Sequence, residues 1–311
     1  WRVWKKVREL MINERIDIVH AHGTRANSNV FWAAKKLKLP LVYTCHAWSF
    51  HPDQNYFVKK IRIASERFLT GKADVNVCGS VANGREGKKL FKRFNPQIIY
   101  NSVNPEKFNP YGKYKDIRTE LDIDENEIIL TSIARFTLQK QPLRLIQAFK
   151  IISEKVTGIR LLMVGGGEQK EDAEKLIREL DLDDKIILQP FRDDVPDLLS
   201  ASDIFILPSL WEAFPIALLE AMSMGKAVIG TNIDGTPEII EDQVNGLLIP
   251  VKNMKKHIVD AVSLLVENEA FRKKLQLKAI ETIHGKYNVD VLARENEKIY
   301  YELIANVGYG I

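Results

Sequence analysis

The residues of this chain that can do chemistry stand just after short apolar runs. After Ala134 come Arg135-Phe136-Thr137-Leu138-Gln139-Lys140, two cations on a loop that opens a helix. A guanidinium grips phosphate oxygens as a fork and an ammonium adds a compact charge, so the two together suit a diphosphate; either alone is what a surface ion pair looks like. After Val164 come Gly165, Gly166, Gly167 and Glu168. Without Cβ atoms, backbone amides can approach a phosphate or a sugar, and a tight strand-to-helix turn needs glycine as well. After Leu207 runs Pro208-Ser209-Leu210-Trp211-Glu212-Ala213-Phe214-Pro215, then Ile216-Ala217-Leu218-Leu219-Glu220-Ala221-Met222. Pro215 suits a first helical turn, whose free amides and positive dipole end attract anions. Glu220 is an acid buried in an otherwise apolar helix, and Glu212 lies in the loop before it. The pair suits recognition of hydroxyl groups; a paired core acid is the plainer account of Glu220. Thr236 reads as an N-cap with Pro237 in the first turn.

Histidines gather in the first half. Val19-His20-Ala21-His22-Gly23-Thr24-Arg25 ends one apolar run, and His46 and His51 follow the next. A histidine working by hydrogen bonding or proton transfer fits better than zinc, because no carboxylate or second cysteine has companion spacing. Asp122-Ile123-Asp124 and Asp181-Leu182-Asp183 look like acidic metal motifs, but turn and capping chemistry explains them.

The elements that must position these residues alternate strand and helix. Strands are predicted at 17–20, 41–45, 74–78 and 97–100, then at 128–134, 160–164, 185–188, 203–207, 227–230 and 246–249. Helices are predicted near 1–13, 25–37, 56–70 and 80–94, with two more closing the chain near 268–284 and 290–305. Strands this apolar are covered on both faces, as in doubly wound α/β domains, where ligands sit beyond the carboxyl ends of the strands. Asn101, Asn104, Pro105, Asn109, Pro110 and Gly112 break the pattern and mark a boundary. The reading divides the chain into 1–115, 116–285 and a last helical segment, 286–311, packing back toward the first domain.

Composition agrees. A chain of 311 residues, 45% hydrophobic and 28% charged, suits two globular domains. No apolar run is long enough to span a bilayer, and Cys45 and Cys78 are too few and too far apart for a disulfide framework, which fits a reducing compartment. Residues 1–115 hold 22 Lys and Arg against 8 Asp and Glu, a net +14, while the rest of the chain nets −10. That polarity turns the first half toward an anionic partner, unless its lysines are simply solvated. The clusters are Lys5, Lys6 and Arg8; Lys59, Lys60 and Arg62; and Lys88, Lys89, Lys92 and Arg93, with Trp1, Trp4 and Phe91 among them. Basic helices with aromatic residues predict salt-sensitive binding to anionic membranes.

Taken together, these strand ends resemble the retaining GT-B glycosyltransferases of family 4, over essentially the whole chain. Glu212 through Glu220 resembles the family's E-x7-E signature, flanked by Ala201 to Ser209 and by Gly235-Thr236-Pro237-Glu238. Asn101-Ser102-Val103 resembles the Asn-Gly-Val end of the family's first domain. The resemblance implies an α/β fold of two Rossmann-like domains facing a cleft, and a hexosyltransferase that uses a UDP- or GDP-sugar and needs no catalytic metal or other cofactor. It implies that Arg135 and Lys140 neutralise the leaving diphosphate and that Glu212, beside Ala213, Phe214 and Pro215, contacts the sugar. Ile216 and Gly165 to Gly167 line the donor site, Glu220 holds the ribose, and His46 lies near the donor sugar. His22, Gly23 and Arg25 fall on the acceptor side. The acceptor implied is a glycan or a polyprenyl-pyrophosphate-linked sugar, in surface polysaccharide or lipopolysaccharide synthesis, by a cytoplasmic enzyme peripheral on the inner face of an anionic membrane. Nucleic acid is not an expected partner, since no binding motif accompanies the charge.

There are departures. The family's first strands and their glycine-rich loop have no counterpart here, so the first domain reads as incomplete, transfer is expected to be poor, and protease is expected to leave a core near 118–285. Ala213 and Ser102 stand where the family has glycine, and Pro190 where a glycine often precedes Phe191. A nucleotide-sugar epimerase of the same architecture, or a binding remnant without turnover, are the alternatives.

Overall fold

The computed structural model describes residues 2–51 and 53–308. The chain divides into two compact units: Trp1–Asn101 with Asp290–Ile311, and Ser102–Val289. Trp1 lies outside the described residues.

The first unit opens with α1 (Arg2–Asn13), then β1 (Val19–His22), α2 (Gly23–Leu37), β2 (Leu41–Cys45), α3 (Tyr56–Thr70), β3 (Val75–Cys78), α4 (Val81–Leu90) and β4 (Gln97–Ile98). The strands form a parallel sheet in the order β1-β2-β3-β4. Side chains alternate between its faces, as the two-residue period of a strand requires. Val19, Ala21 and Leu41 turn toward Phe31, Ala33 and Ala34 of α2 and Leu69 of α3, while Val42 and Val77 turn to the other side. β1 therefore ends on His22, two residues later than predicted, in register with Thr44.

The second unit runs α5 (Ile117–Glu120), β5 (Ile128–Ile133), α6 (Pro142–Lys155), β6 (Ile159–Val164), α7 (Lys170–Glu179), β7 (Ile186–Gln189), α8 (Val195–Ala201), β8 (Ile204–Leu207), α9 (Ile216–Ser223), β9 (Ala227–Thr231), α10 (Thr236–Ile239), β10 (Leu247–Ile249), α11 (Met254–Glu267) and α12 (Glu269–Lys286). All the pairings are parallel, in the order β10-β9-β8-β5-β6-β7. On β6, Leu161 and Met163 join a cluster with α6 and α11, whereas Leu162 and Val164 join one with α8. Both faces are thus covered by helices. The order reverses between β5 and β8, and the crevice of a doubly wound sheet opens at such a reversal.

The boundary lies at Asn101–Ser102, not at 115–116. The segment after Asn101 is tied into the second unit by Val103 N–H on Tyr287 O at 2.9 Å, Ser223 Oγ on Phe108 O at 2.7 Å and Lys115 N–H on Asp197 Oδ1 at 2.8 Å. The last helix, α13 (Val289–Gly308), belongs to the first unit from Asp290 onward, where Ile299 packs against Val42, Val77 and Ile99 on the sheet face that α2 and α3 leave free.

Candidate functional site

In the second unit, the loops leaving β5, β6 and β8 meet at the strand-order reversal and are stitched together by main-chain hydrogen bonds. Phe136 N–H donates to Gly166 O at 2.9 Å, Gln169 N–H to Phe136 O at 2.9 Å, and Leu210 N–H to Gln139 O at 2.8 Å. Gln139 Nε2 also donates to Trp211 O at 2.7 Å.

This stitching changes the account of the glycine run. Gly165 and Gly167 have φ of +144° and +152°, and a Cβ on them would sit 2.1 Å from Ala134 O and 2.4 Å from Phe136 O. They are glycine because the β5 loop passes against their backbone. Only Gly166 has open space where a Cβ would go, so it alone leaves room for a ligand to approach.

The two cations differ. Arg135 is exposed and, among the described residues, has no ion-pair partner. Lys140 is held by Glu212 Oε1, which also accepts from Ser209 Oγ at 2.6 Å. Glu212 is 8% exposed, and its N–H donates to Asp234 Oδ2 at 3.0 Å. The expected role of Glu212 as a sugar contact thus falls to its remaining oxygen, Oε2. Its other task is to hold the ammonium, which keeps further N–H donors for a phosphate. Thr137 sits between the two cations, and its buried Oγ1 has no hydrogen-bond partner among the described residues.

Ala213, Phe214 and Pro215 lead into α9, which starts at Ile216 with no side-chain cap, leaving its first amides to another acceptor. Phe214 is fixed by its ring contact with Tyr287, 5.6 Å between centroids. Glu220 is half-buried rather than buried, and among the described residues it makes no hydrogen bond or ion pair. Burial pushes its carboxyl up to about 7, opposed by Lys107. Thr236 is inside α10 and Gly235 is the cap, so the expected threonine N-cap is not formed. Asp122 and Asp181 take left-handed turns at φ +51° and +53°.

In the first unit the histidines stack at the carboxyl ends of β1 and β2. His22 and His46 lie ring to ring, with His22 Nδ1 2.9 Å from His46 Nε2 and His46 Nδ1 3.1 Å from Asn101 Oδ1. With Asn101 as acceptor, His46 Nδ1 carries the proton, His46 Nε2 accepts from His22 Nδ1–H, and His22 Nε2 is left with a lone pair. His20, two residues back on the same face, stacks on His22 at 4.1 Å and is held by Tyr300 OH at 2.5 Å and Thr44 Oγ1 at 2.7 Å. Burial lowers the His20 pKa to about 4, with His22 and His46 adding to the effect, and burial lowers that of His22 too. The stack is therefore neutral at pH 7 at His20 and His22. Among the described residues no group of three or more His, Cys, Asp or Glu is arranged to hold a metal. Gly23 begins α2 at φ +80°, and Arg25 is exposed on its first turn.

Sequence reasoning missed Glu66. It is fully buried and accepts from Thr24 Oγ1 at 2.6 Å, Tyr43 OH at 2.9 Å and Ser49 N–H at 3.2 Å, so it ties together the loops that carry His22 and His46. A lone acid on a Lys-rich helix gives no signal of this in sequence.

A first test concerns His20. Its folded-state pKa is depressed, so the stability it contributes is present above pH 6.5 and is lost as pH falls through about 4. The His20 ring resonances should titrate near pH 4 in NMR spectra, and acid melting of the first unit should follow them. Titration at the ordinary histidine value would show that the stack does not persist in solution.

The chain is similar to known proteins in sequence and in fold. Residues 113–282 match the family model described as glycosyl transferases group 1, and residues 1–107 match that described as glycosyltransferase family 4. The UDP-Gal:α-D-GlcNAc-diphosphoundecaprenol α-1,3-galactosyltransferase of Escherichia coli is 30% identical over 308 residues, which is 96% of this chain and 78% of that protein. The N-acetyl-α-D-glucosaminyl L-malate synthase of Bacillus anthracis is 27% identical over 96% of this chain and 78% of its own length. Among solved structures, HepE of Anabaena in complex with UDP superposes with a TM-score of 0.84 at 19% identity, covering 96% of this chain and 82% of that one.

Proposed function

The chain belongs to the glycosyltransferases of group 1 and family 4, and from that premise we propose that it moves a hexose from a UDP-sugar, with retention of configuration, to a glycan or polyprenyl-diphosphate-linked acceptor in surface polysaccharide synthesis. The observation that carries the reading is the meeting of the β5, β6 and β8 loops at the strand-order reversal, beside the uncapped start of α9. There Arg135 and the free donors of Lys140 meet the diphosphate, where negative charge grows as the glycosidic bond breaks. The amides of Gly166 and of the α9 start hold the phosphates, Glu220 accepts from the ribose hydroxyls, and Glu212 Oε2 with the backbone of Ala213, Phe214 and Pro215 meets the sugar. In the first unit, His46 contacts the donor sugar, and His22, Gly23 and Arg25 take the acceptor. The bond to the leaving diphosphate breaks and the acceptor hydroxyl attacks on the same face of the sugar, its proton passing to the departing phosphate oxygen, which gives retention without a covalent intermediate. No helix among the described residues is long and apolar enough to cross a membrane, and the reading is of a peripheral enzyme drawn to an anionic cytoplasmic surface by its basic first unit.

The test is transfer itself. UDP-sugars and GDP-sugars are screened by thermal shift, the stabilising donor is supplied with a diphosphate-linked lipid acceptor, and the anomeric configuration of the product is read by NMR. Stabilisation by GDP-sugars alone would reverse the donor assignment, and an inverted product would end the retaining one.

Glu220 adds a pH signature. Its carboxyl is raised from 4.5 to about 7, so the stability it contributes is complete below pH 4.5 and is lost as pH rises through 7. Glu220→Gln should remove that loss and leave the free protein more stable at pH 8, by up to about 3 kcal/mol. UDP affinity should rise above pH 7 in the parent, as the carboxylate forms, and stay flat in Glu220→Gln. Calorimetric titration at about pH 6 and pH 8 decides it; parallel pH profiles for the two proteins would remove Glu220 from the nucleotide site.

A further inference from the structure

The first unit holds a cavity of about 490 Å³ on the connections that enter β3 and β4, whereas His22 and His46 stand where the chain leaves β1 and β2. In a parallel sheet those are opposite ends, so the cavity is separate from the acceptor-side residues. Arg67, Lys89, Lys92 and Arg93 ring it, and Phe91 and Phe94, 4% and 7% exposed, form its apolar wall. No carboxylate lines it, and none of the four cations has an ion-pair partner among the described residues. Cations in the last turn of a helix complement its dipole, which accounts for Arg67 and Lys89. It does not account for Lys92 and Arg93, which lie past the end of α4.

Beside the cavity, the helix that supplies Arg67 carries an apolar stripe. Phe57, Ile61 and Phe68 are 74%, 70% and 45% exposed, and their spacing puts them on one face of α3. Trp32 of α2, 60% exposed, adjoins Phe31, whose ring meets that of Phe68 at 5.4 Å. Lys60 and Lys72 lie over the rings of Tyr56 and Phe68. The one acid of α3 is Glu66, which is buried, so the outer face of the helix has no negative charge. Phe91, which the sequence suggested as a membrane-facing aromatic, is packed inward against Trp48 and Phe94.

We propose that this surface docks on a bilayer of anionic phospholipid, with a headgroup phosphate in the Arg67–Lys89–Lys92–Arg93 cavity and Phe57, Ile61, Phe68 and Trp32 in the interfacial layer. It deepens the peripheral-membrane reading above and rests on it. Charge complementarity selects the occupant: a cavity with cations and no acid takes a phosphate, and exposed aromatics beside it take the lipid boundary, a combination that suits neither a free sugar nor an acidic peptide alone.

The experiment is vesicle co-sedimentation of the full chain with phosphatidylglycerol–phosphatidylcholine and with pure phosphatidylcholine vesicles. Binding to the first and not the second, weakening as salt rises, is the expected result. Lys92→Glu with Arg93→Glu should weaken binding at least about tenfold, because two cations that face the headgroups become acids that repel them. Phe57→Ser with Ile61→Ser should weaken binding without flattening its salt dependence. Lys5→Glu with Lys6→Glu, on α1, should leave it within about twofold. All these positions are exposed, and unchanged melting curves confirm the fold. Failure of the unaltered chain to bind anionic vesicles would remove the membrane reading and this site with it. Binding lost in the α1 variant but kept in the other two would leave the membrane reading standing and overturn this site.

Discussion

Arg135→Ala is expected to lower kcat by about 10²- to 10³-fold, the range found when one fixed group facing developing charge is removed. Its melting temperature should hardly move, because the side chain is exposed and unpaired, and such substitutions stay within about 0.5 kcal/mol. Lys140→Ala should show a comparable loss of turnover for the same electrostatic reason, but with a second effect. It leaves the Glu212 carboxylate, 8% exposed, without its cation. Breaking one side of a buried pair costs about 3–5 kcal/mol, so this variant should melt earlier. Adding Glu212→Gln removes the stranded charge and should restore much of the stability while turnover stays low. Steady-state kinetics and thermal denaturation on the same samples separate the two effects. Near-normal turnover in the Arg135→Ala/Lys140→Ala double variant would sink the assignment of the diphosphate site.

The glycine run should divide just as sharply. Gly165→Ala and Gly167→Ala each force a Cβ onto a carbonyl oxygen at a φ that L residues rarely adopt. Strain at such backbone positions costs about 1–3 kcal/mol, and relieving the overlap adds about as much again. Both variants should therefore lose roughly 3 kcal/mol or more and melt about 10 °C lower, if they fold at all. Gly166→Ala meets nothing and should melt with the parent. If a phosphate does approach the Gly166 amide, the methyl group will instead raise the Kd for UDP. Unchanged UDP affinity in Gly166→Ala would mean the run is a turn and nothing more, and that the anion is held by α9 and the cations alone.

The strand positions are largely legible in the sequence: Leu41–Cys45 and the runs that form β5 through β10 are apolar, short and bounded by turn residues. Their order in the sheet is not, because parallel pairing is set by where each crossover helix packs. Without the order, the reversal between β5 and β8 has no location, and neither has the crevice. The candidate residues stand out by type, but their partnerships are hidden. Lys140 and Glu212 are 72 positions apart, and His20 and Tyr300 are 280 apart. Phe91 misleads because the apolar spacing of the sequence runs past Leu90, where α4 ends and the chain turns inward. Gly165 and Gly167 have the look of ligand-facing glycines, whereas the neighbouring loop already demands them. Among the family-level signals in the chain, the spacing of Glu212 to Glu220 survives as a loop and the first turns of α9.

The route of the chain has a consequence for how it is made. It leaves the first unit at Asn101 and rejoins it only at Asp290. A ribosome working from the first residue to the last therefore emits the whole of the second unit before the helix bearing Ile299 and Tyr300. The second unit is continuous and can close as soon as it emerges. Until then the sheet of the first unit has Val42, Val77 and Ile99 uncovered on one face, and His20 has no Tyr300 to hold it. His20 is thus fixed only after the second unit has been made, whereas its neighbours His22, His46 and Asn101 all precede that unit in the chain.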